Sequence, residues 1–126
     1  MFNKIARKLI KDSRGYFLKV IDGNEPNNPF ACEVYITSAK PGESKGGHYH
    51  VKAKEWFTLI QGQAEVTLIN TITGVRTTEL LDADSPMTLF VPEMIAHSFM
   101  NTSPHTDFIL LAYTNVQFDK EDTIAF

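Results

Sequence analysis

Clusters of turn-forming residues (DGNEPNNP, KPGES, QGQ, NTITG, DADSP, PEM and NTSPH) divide this chain at short, regular intervals, and the runs between them are β-branched and aromatic. Segments that short accommodate strands but not helices of ordinary length. Strands are expected near residues 16–21, 31–37, 46–50, 55–60, 64–69, 75–81, 88–91, 97–101 and 108–113. Only the first ten or so residues look helical. Many short strands joined by turns imply an all-β sandwich or small barrel of antiparallel sheets. The 126 residues are expected to form a single domain, 1–126, and 43% of them are hydrophobic, nine being Phe. At this size folding buries about two-thirds of the extended chain's surface, so a core forms without covalent staples.

Charge and cysteine usage remove several classes of function. A net charge of −3 with mixed signs gives no basis for a nucleic-acid or membrane partner, although a phosphorylated small molecule responds to local charge only. The lone Cys32 excludes an intrachain disulfide and suits a reducing cytoplasm. The opening MFNKIARKLIKDSRG is basic but lacks an apolar core of signal-peptide length, and no run approaches the ~18 apolar residues of a spanning helix. GESKGG is no phosphate loop, since no lysine, hydroxyl residue and helix follow it.

Only four histidines occur, and two of them, His48 and His50, stand two apart in a β-like segment. Residues two apart on a strand face the same way, so the pair projects together and Tyr49 faces oppositely. Glu55 opens the next strand with the parity of Phe57 and Leu59; an antiparallel pairing of the two strands would set it beside both imidazoles. His97 follows a Pro turn with the parity of Phe99 and Asn101. Taken alone, the pair reads as two half-exposed strand histidines, Glu55 as a solvated turn acid and His97 as a satisfied core or rim histidine. Together, three imidazoles and a carboxylate on one interior face are the ligand set of a divalent transition metal. Buried without one, they would desolvate an acid and three bases at once.

Gly42, His48, His50, Glu55 and Gly62 are separated by five, one, four and six residues, and Pro92, His97 and Asn101 by four and three. The first set resembles the first cupin motif at every fixed position. The second resembles the second motif in part, with Met94 and Pro86 where glycines are usual. The resemblance implies a double-stranded β-helix, the cupin jelly roll, with His48, His50, Glu55 and His97 as metal ligands at its open end. Beyond the motifs, KDSRGYF, the stretch ITSAKPGESKGGHYHVKAKEWFTLIQGQAEV, VPEMIAHSFMN and LAYTNVQFDKEDT resemble the C-terminal cupin domain of the capsular-polysaccharide enzymes of the UDP-N-acetyl-L-fucosamine pathway. That resemblance runs from about Asp12 to the C-terminus. Its closing signature is Asn115, Phe118-Asp119 and Asp122-Thr123. It implies a zinc-dependent epimerase acting next to the ketone of a 4-keto nucleotide sugar in surface-polysaccharide synthesis. Iron, manganese or nickel are the other candidate ions. The chain has no dinucleotide fingerprint, so it would perform the isomerising half alone or work beside a separate reductase.

The chain is less closely similar to the dTDP-sugar 3,4-ketoisomerases, which keep the His pair as acid and base, generally lack the third histidine, and carry Arg where this chain has Lys45. Either resemblance implies loss of a proton α to a ketone, with negative charge developing on oxygen. Candidate bases are Lys45, Tyr35, Glu43 and Tyr49, with His50 in that role if no metal binds. Arg14, Lys45 and Tyr49 are candidate contacts to the nucleotide-sugar substrate. A metal-dependent dioxygenase or a non-catalytic metal- or sugar-binding cupin would use the same ligands. Tyr49, Trp56 and Thr58, facing outward, suggest a homodimer.

Overall fold

The computed structural model of the protein describes residues 2–126. Eleven strands run β1 (Leu9–Lys11), β2 (Gly15–Ile21), β3 (Glu33–Ala39), β4 (Ser44–Tyr49), β5 (Glu55–Gln61), β6 (Gln63–Asn70), β7 (Arg76–Asp82), β8 (Thr88–Val91), β9 (Ile95–Asn101), β10 (Phe108–Thr114) and β11 (Ile124–Ala125), with one 3-10 turn at Lys120–Asp122. They form a six-stranded sheet ordered β1-β2-β3-β10-β5-β8 and a five-stranded sheet ordered β11-β4-β9-β6-β7, with every pairing antiparallel. All nine expected strands occur, and the N-terminal helical appearance is overturned. Ile5 and Leu9 have helical spacing but stay about half exposed, with no face to cover them. Residues 9–11 instead pair with Leu18, Phe17 and Tyr16 of β2. No α-helix, and so no helix able to cross a membrane, occurs among the described residues.

Strict alternation builds the core. Phe57 and Leu59 of β5, Phe108, Leu110 and Ala112 of β10, and Phe99 of β9 all point between the sheets and are buried, as is Val66 of β6. Each large side chain so buried contributes about 1.5–3 kcal/mol. Trp56, on the other face of β5, lies among Phe90 and Tyr113 on the outer surface of its own sheet. The chain passes from one sheet to the other at Gly62, between β5 and β6. Its φ of +87° is disfavoured for residues with a Cβ, which would also meet the Phe108 Cα at 3.2 Å. Asn101 closes this end: its amide donates to the Ala39 and Thr106 carbonyls at 2.9 and 2.8 Å, and its Oδ1 accepts from Ser103 N at 2.8 Å.

The opposite end stays open. Its cavity, about 570 Å³, has the two sheets as walls, β1–β2 along one side and residues 116–123 along the other.

Candidate metal centre

β4 carries His48 and ends one residue before His50, and its irregularity decides what else reaches the cavity. Lys45 and His48 are three apart, so strict alternation would put them on opposite faces, yet both line the cavity. The register against β9 slips between Gly46 and His48, inserting one extra residue. Gly46 makes the slip feasible: it sits at φ +94°, and a Cβ there would stand 2.7 Å from the His97 carbonyl oxygen. Past the slip, His48 pairs directly with His97 of β9.

Glu55 arrives from elsewhere than the sequence suggested. β4 and β5 are not neighbours but belong to opposite sheets, so Glu55 meets the imidazoles across the sandwich. Parity fixed the face correctly and the pairing partner wrongly. The ring centroids of His48 lie 5.1 Å from His50 and 4.9 Å from His97, and one donor atom from each of the four residues falls within 4.8 Å of the others.

Hydrogen bonding shows what the cluster lacks. His50 directs Nδ1 at the Asp122 carbonyl oxygen, 2.9 Å away, and Nε2 at Glu55 Oε1, 2.7 Å away. His97 directs Nδ1 at the Ile95 carbonyl oxygen, 3.1 Å away, and Nε2 at the same Glu55 Oε1, 3.4 Å away. Carbonyl and carboxylate oxygens only accept, and a neutral imidazole carries one proton. If both Nδ1 atoms donate to the carbonyls, His50 Nε2, His97 Nε2 and Glu55 Oε1 are three buried acceptors facing one another, each without a partner. A cation between them, proton or metal, resolves the conflict. Tyr35 holds the carboxylate from behind, its hydroxyl donating to Glu55 Oε2 at 2.9 Å.

Ionisation follows this arrangement. Burial lowers the His48 pKa to about 4, helped by the positive character of His97 and His50 and opposed by Glu55. His48 is therefore a neutral lone-pair donor near pH 7. Burial also lowers the His50 pKa, but the hydrogen bond and charge of Glu55, with the Asp122 carbonyl, outweigh it and leave the value raised. For Glu55 burial raises the pKa, and the two imidazoles overcome it, bringing the value to about 2. Metal-free, the protein thus favours a proton between His50 and Glu55, where a divalent ion would compete for the same lone pairs. Three imidazole nitrogens and one carboxylate fit such an ion by number, donor type and proximity.

Of the other sequence candidates, Lys45, Tyr35 and Arg14 line the cavity, and Glu43 is not among its lining residues. Lys45 is 9% exposed, not a solvated turn lysine. Burial and then the Arg14 charge lower its pKa against the opposing pull of Asp12, and its ammonium reaches the Tyr16 carbonyl at 3.4 Å. Tyr35 keeps its proton: burial, then Glu55, raises its pKa well above the ordinary value. Arg14 forks onto Asp12 at the mouth through Nε at 3.3 Å and Nη2 at 2.8 Å. Tyr49 corrects the reading made of it. It turns from the cavity and packs edge-on against Phe126, with centroids 5.8 Å apart, so it is placed neither as a substrate contact nor as a base. Its parity relative to the histidines already said so. His105 is exposed in its turn.

Sequence reasoning passed over the cavity's side walls: Phe17 and Lys19 on β2, and Phe118 with Asp122 in the C-terminal segment. The only signal for the latter was the signature FDKEDT. Asp122 is buried and accepts from three successive amides, Val51 at 2.8 Å, Lys52 at 3.0 Å and Ala53 at 3.0 Å.

Two face-to-face antiparallel sheets with His48, His50, Glu55 and His97 gathered at the open end are the architecture of a cupin. Residues 10–126 match the polysaccharide biosynthesis C-terminal domain family, and the chain belongs to that family. It is similar to the spore coat polysaccharide biosynthesis protein SpsL of Bacillus subtilis, 25% identical over 123 residues that make up 92% of this chain and 81% of that protein. It is also similar to a UDP-2-acetamido-2,6-beta-L-arabino-hexul-4-ose reductase of Pseudomonas aeruginosa, 24% identical over 111 residues, spanning 88% of this chain but 28% of that protein. Among solved structures, the capsular polysaccharide assembling protein CapF of Staphylococcus aureus superposes with a TM-score of 0.85 at 22% identity, over 98% of this chain and 35% of CapF. A Bacillus subtilis oxalate decarboxylase superposes with a TM-score of 0.78 at 20% identity, over 95% of this chain and 30% of that one. The two structural likenesses concern the fold.

Proposed function

We propose that the protein is an epimerase or isomerase acting on the carbon next to the ketone of a nucleoside-diphosphate 4-keto-6-deoxyhexose, in cytoplasmic steps of surface-polysaccharide synthesis. The observation that carries this reading is Glu55 Oε1, buried and shared by two imidazole nitrogens at 2.7 and 3.4 Å inside a cavity bordered by Arg14, Lys19 and Lys45. The names of the relatives agree with it. SpsL is named for polysaccharide biosynthesis, and the Pseudomonas protein for reducing a nucleotide-linked 4-ulose.

A divalent ion held by His48, His50, His97 and Glu55 supplies Lewis-acid stabilisation of negative charge on a carbonyl oxygen. Zinc is the ion the family resemblance implies; iron, nickel and manganese accept similar donors, and the related-fold oxalate decarboxylase is described with Mn(II) centres. The rest of the chemistry falls to the chain. Lys45 is the base: burial favours its neutral amine, whose lone pair takes the proton next to the ketone. Tyr35 stays protonated and fixes Glu55 so that Oε1 faces the imidazoles. His50 is engaged at both nitrogens, which speaks against its use as acid or base. Arg14 and Lys19, on the same wall of the cavity, are the groups for a diphosphate. Solvent water gives a proton to the opposite face, inverting the carbon, and the Lys45 ammonium returns its proton to solvent.

Deuterium wash-in with UDP- and dTDP-linked 4-keto-6-deoxyhexoses tests the reading. The expected result is catalysed solvent exchange at a carbon flanking the ketone, abolished by chelation. Tight binding without exchange would make the protein a sugar-binding module instead.

A further inference from the structure

Asp122 makes two kinds of contact that converge on the ligands. Its carboxylate takes all three amides of residues 51–53, and its own carbonyl oxygen faces His50 Nδ1 at 2.9 Å. Residues 51–54 are the crossover that carries the chain from β4 to β5, hence from one sheet to the other. His50 stands at one end of that crossover and Glu55 at the other. Without the carboxylate, three buried or half-buried N–H groups would lose their acceptors, and nothing local would set the span between the two ligands. Asn115 secures the far end, its Oδ1 accepting from Lys54 N at 2.8 Å while its own N–H donates to the Lys54 carbonyl at 3.1 Å. The C-terminal segment itself is anchored by Glu33, 2% exposed, which accepts from Phe118 N at 2.9 Å and Gly23 N at 2.7 Å.

We infer that Asp122 is a positioning residue of the site: its side chain fixes the separation of His50 and Glu55, and its main-chain oxygen fixes which His50 nitrogen faces the other ligands. This rests on the four-ligand reading above for its metal readout, but not for its readout in metal-free protein. Asp119 provides the control. It lies in the same segment and on the same cavity wall, but its side chain caps the Lys120–Asp122 turn, accepting from Glu121 N at 2.9 Å, whereas the Asp122 side chain accepts from residues 51–53.

The test compares Asp122→Asn with Asp119→Asn in the full chain, by zinc and cobalt titration and by the nitrogen-15 signals of the His50 ring in metal-free protein. An amide cannot accept from all three N–H groups as the carboxylate does. D122N should therefore weaken zinc and cobalt about 10–100-fold, the range for groups that orient a metal ligand. It should also expose the His50 Nδ1 proton to fast solvent exchange. D119N should lower the melting temperature yet leave affinity and the His50 signal at wild-type values. If D122N does not fold, Asp122→Glu, one methylene longer, replaces it with the same direction expected. The inference is overturned if D122N or its substitute binds within twofold of wild type with His50 unmoved, or if D119N weakens the metal as much. Should wild type bind neither ion, the ligand reading falls, and the His50 ring signal alone decides the role of Asp122: a shift in D122N sustains it, no shift rejects it.

Discussion

Replacing Glu55 with glutamine separates the electrostatic role of this residue from its role in packing. The two side chains have nearly the same shape, and Glu55 is only 3% exposed, so Phe57 and Leu59 on the same strand face should stay in place. In metal-free protein the carboxylate pairs with a protonated His50, which lowers the Glu55 pKa from 4.5 to about 2. A folded-state value below the unfolded one contributes stability present above pH 4.5 and lost as pH falls towards 2. The shift of roughly 2.5 units corresponds to about 3 kcal/mol, at 1.36 kcal/mol per unit. His50 has the opposite sign: its raised pKa adds stability below its unfolded value, which disappears as pH rises through the folded one. At pH 5.5 both halves of the pair are charged, and E55Q should lose up to about 3 kcal/mol. Once pH has risen through the raised His50 value, the glutamine NH₂ can donate to the Nε2 lone pairs that face it, so the loss should fall below about 1 kcal/mol. Urea unfolding with chelator present, at pH 5.5 and above the His50 titration followed in the same protein by its ring nitrogen-15 signals, measures this. Equal losses on the two sides of that titration would refute the shared-proton account of the site. In chelator-free samples at pH 7.5, zinc bound by E55Q should fall sharply, because the only anionic candidate ligand is gone.

Four further outcomes follow from the geometry. Zinc affinity should drop by up to tenfold per pH unit below the raised His50 pKa, with proton uptake by buffer in calorimetry, and a flat profile from pH 6 to 8 would exclude displacement of that proton. Lys45→Met should cut solvent exchange by about 10²–10⁴-fold while leaving zinc stoichiometry intact, and undiminished exchange would remove Lys45 as the base. Met94 occupies a left-handed conformation, φ +68°, held by its N–H to the His50 carbonyl and by Thr71 on its own carbonyl; Met94→Gly should be neutral to about 1 kcal/mol stabilising in thermal melts, and a clear loss would mean its side-chain packing outweighs the strain. The aromatic outer face formed by Trp56, Phe90 and Tyr113 should be covered in a homodimer, giving twice the chain mass by light scattering, and a monomer at micromolar concentration would contradict it.

How far the sequence could be read depends on which interactions are local. β8 was placed at its observed bounds, because a Pro turn on either side isolates four residues with no other option. The clustering of the four candidate ligands is legible because period-two alternation and two short motifs act within a few residues. Pairing was not legible in the same way: alternation states which face a side chain takes, not which strand lies beside it, so Glu55 was placed next to β4 instead of opposite it. The slip at Gly46 hid the shared orientation of Lys45 and His48, and the parity of Tyr35 was undecidable without the register against β10. Asp122 was seen only as part of a signature. Its partners lie about seventy residues earlier, at a distance where no local pattern reports them.

The crossover between β4 and β5 has a mechanical consequence. His48, His50 and His97 ride on one sheet and Glu55 on the other, so the cluster works as a gauge of the gap between them. Prising the open end apart would part Glu55 from the histidines before it broke any hydrogen bond within a strand ladder. Phe57 and Phe99, tilted against each other with ring centroids 4.8 Å apart between the sheets, are the spacer that sets that gap. The distances among the four side chains are thus governed from the apolar interior as much as by those side chains themselves.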